Sequence, residues 1–81
     1  MVNVVFGEEL RKARREARLT QEQLASEANL HPTYISLLER GKRSPSLDVF
    51  LRLCAALAIS PVTLLKRIVA SQGKRAGRQH A

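Results

Sequence analysis

Tryptophan is absent, tyrosine occurs once and phenylalanine twice, so any hydrophobic core has to be assembled from Leu, Ile, Val and Ala. A single cysteine, Cys54, excludes an intramolecular disulfide and fits a reducing compartment. It falls in an apolar stripe, which makes it a small hydrophobe rather than a nucleophile. The one aspartate, Asp48, and two histidines, His31 and His80, offer neither a nucleophile–base arrangement nor metal-ligand spacing, so no enzyme, metal or cofactor is expected. No apolar run approaches the ~20 residues of a membrane span. Met1 to Phe6 is too short for a signal-peptide core and runs into Glu8 and Glu9. These absences together predict a cytoplasmic chain with no membrane partner. Acidic residues are also scarce, seven against fourteen Lys and Arg. The resulting net charge of +7 favours a polyanion as partner but does not choose among nucleic acid, membrane surface and mere solubility. A chain of 81 residues is one small domain that buries roughly 60% of its unfolded surface and would profit from a second copy.

What is present is most informative from Leu19 to Arg43, LTQEQLASEANLHPTYISLLERGKR. Thr20 followed by Gln23 forms a capping box, and Leu24, Ala25 and Ala28 then share one helical side. Asn29 tolerates the left-handed conformation that ends a helix. Pro32 opens a second helix that runs to Arg40, and Gly41 ends it. The pattern is a helix-turn-helix. On the second helix Ile35 and Leu38 point inward, flanked by Tyr34 and Glu39. Pro32, Thr33, Ser36, Leu37 and Arg40 cover the outer face. Hydroxyls, an apolar tip and a guanidinium suit base edges better than a Glu/Lys mixture would. The loop Gly41-Lys42-Arg43-Ser44-Pro45-Ser46 adds bases and hydroxyls suited to a phosphate track.

The remaining chain frames this motif with further helices, giving an all-α fold. Asn3 is expected to cap a first helix reaching about Ala17, with Phe6, Leu10, Ala13 and Ala17 inward and Glu8 and Glu9 offsetting its dipole. Its outer Arg11, Lys12, Arg15 and Arg18 are read mostly as solvated. A fourth helix begins near Ser46, with Leu47, Phe50, Leu51, Cys54, Leu57 and Ala58 as its buried stripe. Ser60-Pro61 starts a fifth that runs to about Ala70 with Pro61, Leu64 and Ile68 inward. That leaves Val62, Leu65 and Val69, together with Ile59, as a surplus apolar strip suited to a homodimer. Residues 71–81, SQGKRAGRQHA, lack apolar periodicity and are expected to be a flexible basic tail appended to a domain of residues 1–70.

Thr20-Gln21, Leu24-Ala25, Tyr34-Ile35-Ser36 and Glu39-Arg40-Gly41-Lys42-Arg43 together resemble the DNA-binding domain of the Cro and lambdoid-repressor family, also called the xenobiotic-response-element family. The resemblance extends to about Leu65 and implies a compact five-helix lambda-repressor-like domain that binds double-stranded DNA. HPTYISLLERGKR is in detail similar to the small controller proteins of restriction-modification systems. The resemblance implies that Gln21 contacts a phosphate and that Arg14 pairs with Glu39 to link the first helix to the third. The family's usual base readers align with Pro32, Thr33 and Leu37; two of these lack long polar side chains, which shifts base reading toward Thr33, Tyr34, Ser36 and Arg40. Tyr34 is alternatively a core-edge residue that joins Lys42, Arg43 and Ser44 as a phosphate ligand. The implied function is transcriptional regulation from a near-palindromic operator, with polymerase as a possible further partner. The alternative is an antitoxin that neutralises a toxin and regulates itself through DNA, although the chain after Ala70 is a poor toxin-binding extension.

Overall fold

Helical periodicity and caps organise the chain into α1 (Val2–Glu16), α2 (Gln21–Ala28), α3 (Pro32–Glu39), α4 (Leu47–Ala56) and α5 (Pro61–His80). The computed structural model describes the backbone of residues 1–80 and the side chains of residues 1–74. Helix α1 packs against α3 and α5, α2 against α3 and α4, and α4 against α5. The shared core contains Val5, Phe6, Leu10, Leu24, Ile35, Leu38, Leu53 and Leu64, and Phe6 meets Phe50 with ring centroids 6.1 Å apart. Burial in this core pushes the Cys54 thiol above its ordinary pKa, which keeps it protonated. Among the described residues no single helix is long and apolar enough to cross a membrane.

The helix starts follow local chemistry. Thr20 and Gln23 make the reciprocal capping box, with Gln23 N–H donating to Thr20 Oγ1 over 3.0 Å and Thr20 N–H donating to Gln23 Oε1 over 2.8 Å. Ser46 caps α4 by accepting from Val49 N–H. Helix α1 departs from expectation, because its N-cap is Met1, without a side-chain cap, rather than Asn3. The helix thus begins before Asn3, so Glu8 and Glu9 lie beyond its first turn and do not offset its dipole. Glu9 is buried instead, accepting from Ser71 Oγ at 2.8 Å and from Lys12 Nζ at 3.2 Å.

Four helices end by one device. The residue after the last turn takes positive φ at Arg18 (60°), Asn29 (57°), Gly41 (73°) and Ala58 (53°). The next N–H closes back on the helix, from Leu19 to Arg14 O, Leu30 to Ala25 O, Lys42 to Leu37 O and Ile59 to Cys54 O. Leu19, Leu30 and Ile59 then tuck against the core. Lys42 occupies the same place after α3 and stays in solvent.

Three expectations about burial are corrected. Ala17 is exposed at the C-cap of α1, and Val5 and Gly7 belong to the buried side instead. In α4 the buried side is turned by roughly 60°, at about 100° per residue, toward Leu53. Leu53, Cys54 and Leu57 are inward, whereas Leu47, Leu51 and Ala58 are exposed. The cause is tertiary: this rotation brings Arg52 to the end of α2, where its Nε donates to Ala28 O at 3.2 Å and its Nη2 to Asn29 O at 2.6 Å. Finally, α5 does not stop at Ala70. Ser71 continues the inward side of Leu64 and Ile68 as a polar member, satisfied by Glu9. Ser71 is therefore held half-buried by Glu9 and Gln72 is half-buried, whereas Gly73 and Lys74 are exposed, and the side chains of residues 75–81, which also belong to the expected tail, lie outside the described residues.

Candidate nucleic-acid interface

Helices α2 and α3 meet so that the start of each opens onto one shallow cleft of about 510 Å³. Thr20, Gln21 and Glu22 line it from α2, and Pro32, Thr33 and Ser36 from α3. The turn residues set this geometry. Asn29 reverses the chain at positive φ. His31, in extended conformation, accepts Thr33 N–H on Nδ1, and Pro32 fixes the first helical φ. His31 is thus a capping group.

The structure places every outer residue of α3 but does not treat them alike. Pro32 and Thr33 are exposed, Ser36 and Leu37 are half-buried, and Arg40 is exposed with its Nε turned back to Ser36 O at 3.3 Å. Tyr34 is half-buried at the core edge, and the Arg43 guanidinium lies over its ring, 5.9 Å from the centroid. Lys42 and Ser44 project from the loop into solvent, whereas the Ser46 hydroxyl is occupied with capping α4. The hydroxyl-bearing cleft at the start of α3 is therefore followed, beyond its end, by a basic loop.

Arg14 also lines the cleft, and it forms a bidentate pair with Glu39. Arg14 Nε donates to Glu39 Oε2 at 2.5 Å and Nη2 to Oε1 at 3.1 Å, while Nη1 donates to Leu19 O at 2.9 Å. The Glu39 side chain is 3% exposed and that of Arg14 12%. The Gln21 carboxamide also donates to Glu39 Oε1, at 3.1 Å, a contact absent from the sequence-based reading. No buried side-chain polar atom among the described residues lacks a partner.

Gly7 and Arg52 are further residues that sequence reasoning passed over. A Cβ on Gly7 would stand 2.5 Å from both Leu38 O and Glu39 O, so the missing side chain lets α1 touch the end of α3. A glycine inside an amphipathic helix, next to Phe6, was the available signal. Arg52 carried none, since its partners are carbonyls of a distant helix end.

In α5, Val62, Leu65 and Val69 are 62%, 52% and 60% exposed, with Ile59 half-buried beside the core. A second cleft of about 370 Å³ extends this apolar surface, with Leu65, Leu47, Phe50 and Val2 in its walls.

Comparison with known proteins agrees with this geometry. A helix-turn-helix family model matches residues 10–64. The chain is 42% identical over 65 residues to control protein C.BamHI of Bacillus amyloliquefaciens, covering 79% of this chain and 80% of that one. It is 38% identical over 66 residues to control protein C.SmaI of Serratia marcescens, covering 82% and 79%. The restriction-modification controller protein C.AhdI of Aeromonas hydrophila superposes with a TM-score of 0.74 at 42% identity, covering 76% of this chain and 94% of that one. The clp gene regulator ClgR of Corynebacterium glutamicum superposes with a TM-score of 0.91 at 28% identity, covering 99% and 85%.

Proposed function

Because the chain belongs to the helix-turn-helix family, we propose that it is a sequence-specific DNA-binding transcriptional regulator of the repressor or controller kind, acting as a homodimer on a near-palindromic operator. One observation carries the reading: Gln21, Pro32, Thr33 and Ser36 share an open cleft formed by the starts of α2 and α3. The N–H groups at the start of α2 favour phosphate, and the exposed side of α3 enters the major groove. Thr33, Ser36 and Arg40 supply groups that pair with base edges, with Pro32 and Leu37 as apolar neighbours able to meet a thymine methyl. Tyr34, Lys42, Arg43 and Ser44 flank them as backbone contacts, which fix register and carry no sequence information. Lys42 supports this division, because at the corresponding place three other helices bury an apolar side chain and this one keeps a cation in solvent. A net charge of +7 adds long-range attraction to the polyanion.

The apolar surface of Ile59, Val62, Leu65 and Val69 supports a two-fold dimer. Such a dimer sets two copies of α3 about one DNA turn, ~34 Å, apart. The names of the relatives favour regulation over toxin neutralisation as the main task. The test is selection from a random duplex library at near-physiological salt, with Thr33→Ala and Arg40→Ala beside wild type. A palindromic site, lost or relaxed in the two variants, is the expected outcome. Binding that follows charge without a preferred sequence would overturn the assignment.

A further inference from the structure

Three helices converge on one carboxylate. Glu39, at the last turn of α3, accepts from Arg14 of α1 and from the Gln21 carboxamide at the first position of α2. A carboxylate only accepts hydrogen bonds, so it dictates which way the Gln21 amide lies: nitrogen toward Glu39, oxygen and the second N–H elsewhere. Gln21 is half-buried and lines the cleft beside Thr33 and Ser36, so Glu39 fixes its amide at the wall of that cleft. Arg14 in turn fixes both oxygens of Glu39, which leaves the carboxylate one orientation.

From this arrangement we infer that Glu39 is a positioning residue for DNA binding. It touches no DNA and acts by pre-orienting Gln21 for its contact at the start of α2. This rests on the regulator reading above and assigns the Arg14–Glu39 pair a task beyond joining α1 to α3. Pre-orientation means that the ordering cost of the Gln21 side chain is met on folding rather than on binding.

The test uses the full chain and the duplex selected by wild type, with Gln21→Ala, Glu39→Gln and the double variant, each verified as folded by circular dichroism. A carboxamide at position 39 has one acceptor oxygen for the three N–H groups that the carboxylate takes from Arg14 and Gln21, and its own N–H groups accept nothing, so Gln21 competes with Arg14 and loses its fixed orientation. Each single variant should weaken binding roughly three- to tenfold, the worth of one hydrogen bond. The double variant should be no weaker than the worse single one. The slope of log affinity against log salt should stay unchanged, since no cation is removed. Independently of any variant, NMR relaxation of the Gln21 side-chain nitrogen in wild type should show the same high order parameter free and bound. If Glu39→Gln fails to fold, that measurement decides. Losses that add in the double variant, or an order parameter that is low in the free protein and rises on binding, would overturn the inference while leaving the regulator reading intact. A wild type with no preferred duplex overturns both.

Discussion

Gly7 shows how much can depend on one absent methyl group. The carbonyls of Leu38 and Glu39 occupy the space a Cβ would need, and both are backbone atoms at the end of α3 that have no rotamer to yield. Gly7→Ala, which helix propensity alone would favour, is expected to destabilise by about 3 kcal/mol, read as a lower urea midpoint. Ala58 is the converse case. Its φ of 53° is costly for a residue with a Cβ, and the site is exposed at the end of α4. Ala58→Gly should raise stability by about 1 kcal/mol, the relief of left-handed strain exceeding the entropy glycine adds to the unfolded chain. Thermal denaturation of the two variants beside wild type checks both signs. The sequence announced two of the four left-handed positions, Asn29 and Gly41, through residue type. It concealed Arg18 and Ala58, because there the bonds from Leu19 to Arg14 O and Ile59 to Cys54 O, with the packing of Leu19 and Ile59, outweigh the local preference.

Between elements, hydrogen bonds to helix ends matter as much as apolar stripes. Arg14 secures Leu19 O after α1 as well as Glu39 of α3, and Arg52 of α4 holds the last carbonyls of α2. Desolvation offsets much of the attraction in a pair as buried as Arg14–Glu39, so its removal as a unit should cost little compared with its disruption. Arg14→Met, which leaves the Glu39 carboxylate buried without its cation, should destabilise by about 3–5 kcal/mol, and adding Glu39→Met should recover part of that loss. Chemical denaturation of the single and double variants gives the comparison. The exposed pairs Arg67–Glu16 and Arg52–Asp48 are expected to contribute far less, since solvent screens them. The buried side of α4 was not legible at this scale. Apolar residues cover so much of its circumference that several rotations bury a comparable area, and Arg52 with its α2 carbonyls selects one of them.

For the whole molecule, the polar cleft opens between α2 and α3, whereas exposed Leu65 of α5 borders a second, apolar cleft that Ser44, Pro45 and Ser46 also line. Leu65 borders the apolar cleft but lies outside the core, so Leu65→Glu should leave the monomer folded. In a homodimer it buries a carboxylate at the interface. If the proposed homodimer forms, sedimentation should report dimer for wild type and monomer for the variant, and binding to a palindromic site should fall at least tenfold while a single half-site is bound unchanged.

The helix-turn-helix, its capping box, the turn at Asn29 and the outer side of α3 were all legible from residues 19–43, because each rests on interactions between residues at most a few positions apart. Five helices followed from the same local rules. Tertiary structure decided the rest: the contact of Gly7 with α3, the rotation of α4 toward Leu53, the continuation of α5 past Ala70 to meet Glu9, and the attachment of Gln21 to Glu39. In each of these the partner is distant in sequence and is a carbonyl or carboxylate whose position exists only once the helices have packed. Residue spacing records the side of a helix that should be buried, but not the backbone that another helix will bring against it.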